Sequence, residues 1–378
     1  MSDPVRVFLF GTLLDPDLRR IVLGCDLPVA AATLPGRATR QSADGDWPVL
    51  GPGDGAGASG ALTEPLAGEA LARLDYYEAV FGYSRVPAVV TAGAAPVPAQ
   101  VYAPDAAPDR PSGRPWCLSE WQARWGPLTR MAAQQVMARF GAESPAMMRA
   151  ALPTIRIRAD AALRAGRDRV PHSLRGGFGR GDVTVEARRY PYLDYFGVQE
   201  DDLRHTRFDG GTSARLTRAA FLMGDAVTVL PYDPGRDRVL LVEQFRYGPL
   251  ARGDLNPWSL EPVAGRIDPG ETPEQAAHRE TAEETGLTLD RLIPISRYYP
   301  SPGAVTEYLF SFLGLCDLPD GAAISGGGKA DEGEDIRTHV IPFGRMMELI
   351  ATGEAGNGPL HLSAFWLASR RGDHGAFA

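Results

Sequence analysis

The chain reads as an α/β (α+β) protein of two globular parts with a helical spacer between them. Its 378 residues exceed the usual span of one domain. A stretch dense in Pro, Asp and Ala between Pro104 and Pro115 marks a boundary. Beyond it, two helical patterns give way to interleaved strands and helices, with hairpins as well as crossovers, as suits an α/β/α sandwich. The expected divisions are 1–112 for the first domain, 113–178 for the spacer and 179–378 for the second domain.

Val5 to Phe10 is rich in β-formers and predicts a first strand. Gly11-Thr12-Leu13-Leu14 reads as a turn, followed by a helix from about Asp15 to Leu23. Residues 28–70, punctuated by Gly and Pro, predict short strands. Leu71 to Tyr77 predicts a short helix, and Val86 to Val90 and Ala99 to Tyr102 predict strands. Ser119 to Phe140 has helical apolar spacing, and a second helix runs roughly from Ser144 to Ala165. Trp116, Trp121 and Trp125 read as core filler of that packed spacer. A β-rich region begins at about Val183. Strands Ala226–Tyr232 and Arg238–Phe245 are joined by Asp-Pro-Gly-Arg-Asp, a good turn sequence. Strands at Tyr308–Leu313 and Asp335–Ile341 and helices near Phe343–Thr352 and Leu360–Ser369 follow.

Composition narrows the function classes. Net charge is −8 and no long basic run appears, which argues against a nucleic-acid surface. Arg370 and Arg371 read as a solvated helix end. Cys25, Cys117 and Cys316 are far apart, odd in number and without metal-ligand spacing, which fits a reducing cytoplasm. The N-terminus lacks a charged n-region, so no signal peptide is expected. No apolar stretch is long enough to span a membrane. The expectation is a cytoplasmic protein acting on small molecules, without nucleic-acid or membrane partners.

Residues 265–287 carry the chemistry. Thr272 suits an N-cap, Pro273 the first helical position and Gln275 a capping box, while Gly286 suits the residue past the helix end. On that helix Glu280, Glu283 and Glu284 stand at i, i+3 and i+4, so their carboxylates crowd one edge. Like charges at that spacing repel, and a cation should offset them. Mg²⁺ is the natural candidate, being hard, oxygen-binding and commonly shared with substrate phosphates, with Mn²⁺ as its alternative.

This segment resembles the Nudix box: Gly265, Glu271, Arg279, Glu280, Glu283, Glu284, Gly286 and Leu287 fit its spacing. Thr281 stands at an aliphatic position, a departure that should affect packing rather than chemistry. Val242-Glu243-Gln244-Phe245-Arg246, the run from Trp258 to Gly265, Ser301-Pro302-Gly303 with Glu307, and Asp331 to Arg337 resemble the ADP-ribose pyrophosphatase branch of that family. The likeness covers roughly residues 185–370 and implies hydrolysis of the pyrophosphate of ADP-ribose or a related ADP-sugar to AMP and a sugar phosphate.

The resemblance also implies roles. Pro302 is the position marking ADP-ribose and related ADP-sugars, and Glu261 and Glu307 join it in substrate binding. Arg246 grips a phosphate. Glu280 and Glu284, with the Ala264 backbone carbonyl, ligate Mg²⁺; Glu283 binds a further ion or orients the ligand set, and Glu334 is a further ligand. Glu332 is the base, with Glu334 not separated from it on sequence alone. Arg279 holds Glu271 or a neighbouring carboxylate in place. In such pyrophosphatases an N-terminal extension like Val183 to Val198 exchanges between subunits, so a homodimer with composite active sites is expected.

At the other end, Phe10-Gly11-Thr12-Leu13 after a strand, Leu74-Asp75-Tyr76-Tyr77-Glu78 and Tyr83-Ser84-Arg85 resemble the γ-glutamylcyclotransferase-like family over about residues 5–105. The resemblance implies a β-barrel/α domain and release of 5-oxoproline from a γ-glutamyl compound. Glu78 fits the base that takes the amine proton; Gly11, Thr12 and Leu13 fit the backbone cradle for the oxyanion. Phe10 replaces the usual Tyr at the substrate-binding turn. Two other readings stand beside the bifunctional enzyme: a non-hydrolysing ADP-ribose sensor, and an N-terminal domain that only mediates assembly. The fusion also resembles bacterial tellurite-resistance-associated Nudix proteins.

Overall fold

A computed structural model describes residues 3–53, 55, 57–106, 111–168, 171–319, 325–327 and 334–371. The chain divides into two compact units between residues 169 and 170. Among the described residues, no helix is long and apolar enough to cross a membrane.

The first unit opens with β1 (Phe8–Leu9) and α1 (Pro16–Leu23), followed by β2 (Val29–Leu34), β3 (Arg37–Ser42), β4 (Pro48–Pro52) and β5 (Ala58–Thr63). Next come α2 (Gly68–Val80), β6 (Tyr83–Ala92), β7 (Ala95–Pro104), β8 (Pro111–Pro115), α3 (Leu118–Arg124), α4 (Gly126–Met137) and α5 (Pro145–Arg167). One sheet runs β1-β5-β2-β6-β7, and Val7 bridges Gln100 of β7 in parallel. A second runs β4-β3-β8. The strand alternation sorts the core. Phe8 packs with Leu34, Leu62, Val90 and Val101, whereas its neighbours Val7 and Leu9 join the helices.

Four elements depart from the sequence-based expectation. The Ser119–Phe140 segment is two helices, because Pro127 cannot donate to a continuing helix and instead opens α4. The strands expected at Val86–Val90 and Ala99–Tyr102 are the middles of a full hairpin that pairs Tyr83 with Pro104 and turns at Gly93. Prolines 96 and 98 mask β7, and they are tolerated because it is the last strand in its sheet. The helix at Leu71–Tyr77 extends over Gly68–Val80. Helices α3 to α5 bury Trp121, Leu128, Val136, Met148 and Ile155 in the core shared with α1 and α2.

The second unit begins with β9 (Val183–Leu193), β10 (Gly197–His205) and β11 (Leu216–Leu222), a sheet ordered β11-β10-β9. Then follow β12 (Ala226–Asp233), β13 (Arg238–Phe245), α6 (Tyr247–Arg252), β14 (Trp258–Glu261), β15 (Val263–Arg266) and α7 (Pro273–Thr285). The remainder is β16 (Arg291–Tyr298), β17 (Leu309–Leu315), β18 (Ser325–Gly327), β19 (Ile336–Pro342), α8 (Phe343–Thr352) and α9 (Gly358–Arg370). The main sheet runs β16-β17-β12-β13-β19-β18, with β14 on β13 and β15 on β12. Both of its faces are covered. Val227, Val229, Leu240 and Val242 pack with Ala276 and Ala277 of α7. The alternate residues Leu230, Tyr232, Val239 and Leu241 pack with Met346 of α8 and Leu360 and Ala364 of α9. This is an α/β/α sandwich, and strand periodicity decides which helix each side chain meets.

Candidate functional site

In the second unit, local chemistry sets helix α7. Thr272 Oγ1 accepts the Gln275 N–H at 3.2 Å while Gln275 Oε1 accepts the Thr272 N–H at 2.9 Å. Pro273 lies in the first turn, and Gly286 ends the helix in the left-handed conformation at φ 69°. Thr281 is fully buried, and its hydroxyl donates to the Ala277 carbonyl at 2.8 Å. That bond satisfies the polar atom at a position where an aliphatic side chain was expected.

The acidic edge of α7 is organised by Arg279. Its guanidinium donates to both Glu271 oxygens at 2.9 and 2.8 Å, to Glu280 at 2.7 Å, to Glu283 at 3.1 Å and to the Arg266 carbonyl at 2.9 Å. The fork geometry of arginine suits this many acceptors at once. Gly265 on β15 lies against the Glu280 carboxyl, and β15 is fixed by pairing with β12.

Glu284, one turn on from Glu280, is buried, and its Oε2 has no hydrogen-bond partner. Burial pushes its pKa up to about 9, with Glu280 and Glu334 adding repulsion and Arg246 and the Ala264 backbone opposing. An unpartnered buried carboxylate oxygen beside two more carboxylates fits a hard cation. Among the described residues no three acidic, His or Cys side chains converge closely enough to enclose an ion; Glu280 and Glu283 are held by Arg279 instead.

Arg246 and Glu334 bear electrostatically on Glu284 at this edge. Arg246 forms a forked ion pair with buried Glu261, its Nη2 2.7 Å from Oε2. Glu307 is half-buried, and burial raises its pKa while Arg266 and Arg246 oppose. Pro302 is exposed. Glu334 is half-buried and bears electrostatically on Glu284 and Arg246. Glu332 lies outside the described residues.

In the first unit, the turn after β1 and helix α2 share a cavity of about 640 Å³. Phe10, Gly11, Thr12, Leu13 and Glu78 all line it. The Leu14 N–H donates to the Gly11 carbonyl at 3.0 Å, closing the turn. A Cβ on Gly11 would approach Pro48 Cγ to 2.5 Å, so the turn also needs a residue without a side chain. Burial pushes the Glu78 carboxyl up to about 8, with Asp75 adding repulsion. Asp75 itself pairs with Arg85 at 2.6 Å and accepts the Tyr102 hydroxyl at 2.7 Å, which fixes the helix against the β6–β7 hairpin. Trp121 and Trp125 also line the cavity, beyond the filler role expected of them.

Arg156 of α5 lines the same cavity and was missed from sequence. Its signal was a charge within the apolar stripe Leu152, Ile155 and Ala159, a helical face otherwise packed in the core.

The comparisons with known proteins agree with this division. Residues 7–123 match the family described as gamma-glutamyl cyclotransferase, AIG2-like, and residues 223–359 match the NUDIX domain. An ADP-ribose pyrophosphatase of Escherichia coli strain K12 is 36% identical over 197 residues, covering 52% of this chain and 93% of that relative. One from Haemophilus influenzae is 33% identical over 192 residues, covering 50% and 88%. A GDP-mannose pyrophosphatase of Salmonella paratyphi B is 33% identical over 165 residues, covering 44% and 84%. With a capped helix presenting Arg279 and its carboxylates, and relatives matched over most of their length, the chain belongs to the Nudix hydrolases and carries a γ-glutamylcyclotransferase-like domain ahead of the Nudix domain.

Proposed function

We propose that the second unit hydrolyses the pyrophosphate of ADP-ribose or a related ADP-sugar, giving AMP and a sugar phosphate, with Mg²⁺ as its metal and Mn²⁺ as an alternative. The observation that carries this reading is Glu284, buried beside Glu280 and Glu334 with an oxygen that no protein donor satisfies. A carboxylate so placed is costly without a cation. Glu280 and Glu284, with the Ala264 carbonyl, are the proposed ligands, and Glu283 and Glu334 are the further ones. Bound Mg²⁺ would neutralise the bridging phosphates and activate water.

The chain's own residues supply the rest. Arg279 orients Glu280 and Glu283 and keeps them from repelling one another. Arg246, buttressed by Glu261, presents a fixed cation for a phosphate. Glu332, a few residues ahead of β19 in the sequence, is the proposed base that takes the proton from the attacking water. Pro302 and Glu307 border the sugar-nucleotide. The names of the relatives support the substrate class, since ADP-ribose and GDP-mannose are both nucleoside-diphosphate sugars. Exposed Val183, Val185, Tyr192 and Phe221 on β9–β11 support a homodimer in which this sheet docks on its partner.

For the first unit, Glu78 in the cavity favours a second activity of cyclotransferase type. The substrate's free amine attacks its own γ-carbonyl, Glu78 accepts the amine proton and returns it to the leaving amine, and the Gly11–Leu13 backbone holds the oxyanion. The test of the main reading is a panel of nucleoside-diphosphate sugars assayed on the full chain with Mg²⁺, Mn²⁺ or a chelator. AMP release from ADP-sugars that the chelator abolishes supports it; tight ADP-ribose binding without turnover favours a sensor.

A further inference from the structure

We propose that Arg156 is the carboxylate-recognising residue of the first unit's cavity, and that the ligand pairs its carboxylate with this guanidinium while an apolar or aromatic body lies against the cavity walls. The family match ends at residue 123, so Arg156 comes from a helix that the family description does not include. Among the described residues it is the one cation lining the cavity. Among the described residues its one ring contact is Trp125, 5.8 Å away. Its neighbour Arg158 is placed differently, donating from Nε to Gln135 Oε1 at 3.3 Å. Burial pulls the Arg156 pKa down, with attraction from Tyr77, Asp46 and Asp160 opposing it. Asp46 lines the same cavity, but among the described residues no carboxylate is hydrogen-bonded to Arg156, and a guanidinium so buried is costly unless an incoming anion completes it.

Glu78 and Arg156 both line this one cavity, so a single ligand can meet base and cation together. The volume, about 640 Å³, lies within the usual range of small-molecule pockets and exceeds what a glutamyl group alone fills. Trp121, Trp125, Tyr77 and Phe81 supply the apolar wall. A γ-glutamyl amide meets each demand: its α-carboxylate for Arg156, its amine for Glu78 and its leaving amine for the aromatic wall. That identity rests on the cyclotransferase-type reading above; the preference for a carboxylate does not.

The test is calorimetric titration of the full chain with 5-oxoproline, which carries a carboxylate, and with 5-oxoprolinamide, the same ring without one. The wild-type chain should bind 5-oxoproline about 10- to 100-fold more tightly than the amide, the usual size of a charge-assisted hydrogen bond. Arg156→Gln should erase that preference while leaving amide affinity and the melting temperature unchanged. Arg156→Lys should restore part of it, keeping the charge and losing the fork. No preference in the wild-type chain, including no binding of either compound, would overturn the assignment, as would a preference retained in Arg156→Gln. Turnover of γ-glutamyl-p-nitroanilide is followed alongside. A carboxylate preference that depends on Arg156, without any p-nitroaniline release, would support the Arg156 subsite and count against the cyclotransferase reading.

Discussion

The carboxyl group of Glu280 occupies the space beside Gly265: a Cβ on that glycine would lie 1.9 Å from Glu280 Cδ. Position 265 therefore requires glycine for a steric reason and not for its dihedral freedom. Gly265→Ala should push Glu280 off Arg279 and out of the ligand set. We expect ADP-ribose turnover to fall by about 100-fold, the usual cost of misplacing a reacting group by an ångström. Steady-state kinetics with a parallel melting curve checks this; wild-type turnover in Gly265→Ala would show that Glu280 is free to move.

Glu332 is the proposed base. Glu332→Gln should lower turnover by about 10²–10⁴-fold, the usual size of a general-base loss, with a smaller change in KM. Glu334→Gln should instead shift the Mg²⁺ concentration needed for half-maximal rate. The same two measurements on both variants would show the roles exchanged if Glu334→Gln loses turnover and Glu332→Gln does not.

Glu78 gives the first unit a pH signature. Its carboxyl titrates at about 8 in the folded chain, against 4.5 for the unperturbed group. The folded state therefore holds a proton that the unfolded state has released between these values. The resulting stability is fully present below about 4.5 and is lost as pH rises through 8. Release of 5-oxoproline should follow the opposite course, rising through about pH 8 as the base form appears. Glu78→Gln should abolish release and flatten the fall in melting temperature over that window. A rate profile unchanged between pH 6 and 9 would remove Glu78 from the base role.

The exposed apolar residues of β9–β11 lead to an expected homodimer. Light scattering at micromolar concentration should give twice the chain mass of 40.6 kDa. Replacing Val185 and Phe221 with serine should yield monomer and lower turnover. A fully active monomer of the wild-type chain would contradict composite sites.

What could be read from sequence is what is encoded locally. The α7 caps, from Thr272 and Gln275 to Gly286, lie within one stretch of chain, and so do the carboxylates at i, i+3 and i+4. The strand at Ala226–Tyr232 and its turn to Arg238–Phe245 are likewise encoded in one stretch of chain. What was hidden depends on distant partners or on residues that oppose their own element. Pro96 and Pro98 disguise β7, whose place at the end of the strand order, bridged beyond it only at Gln100, is a property of the whole sheet. Arg246 reads as a free cation, yet it is paired with Glu261 fifteen residues on. Arg156 has no motif at all, because it reaches the Glu78 cavity only when α5 packs against α2 and α4 within the first unit.

The most direct measurement is AMP release from ADP-ribose by the full chain and by Glu284→Gln, each with Mg²⁺ and with a chelator. Gln is a comparable helix former, so α7 should persist and the melting temperature should change little. We expect the wild-type chain to depend on the metal and Glu284→Gln to lose at least about 100-fold in turnover, as for a damaged metal site. Turnover near wild type in Glu284→Gln, or wild-type turnover that survives the chelator, would contradict a metal clamp centred on this buried carboxylate.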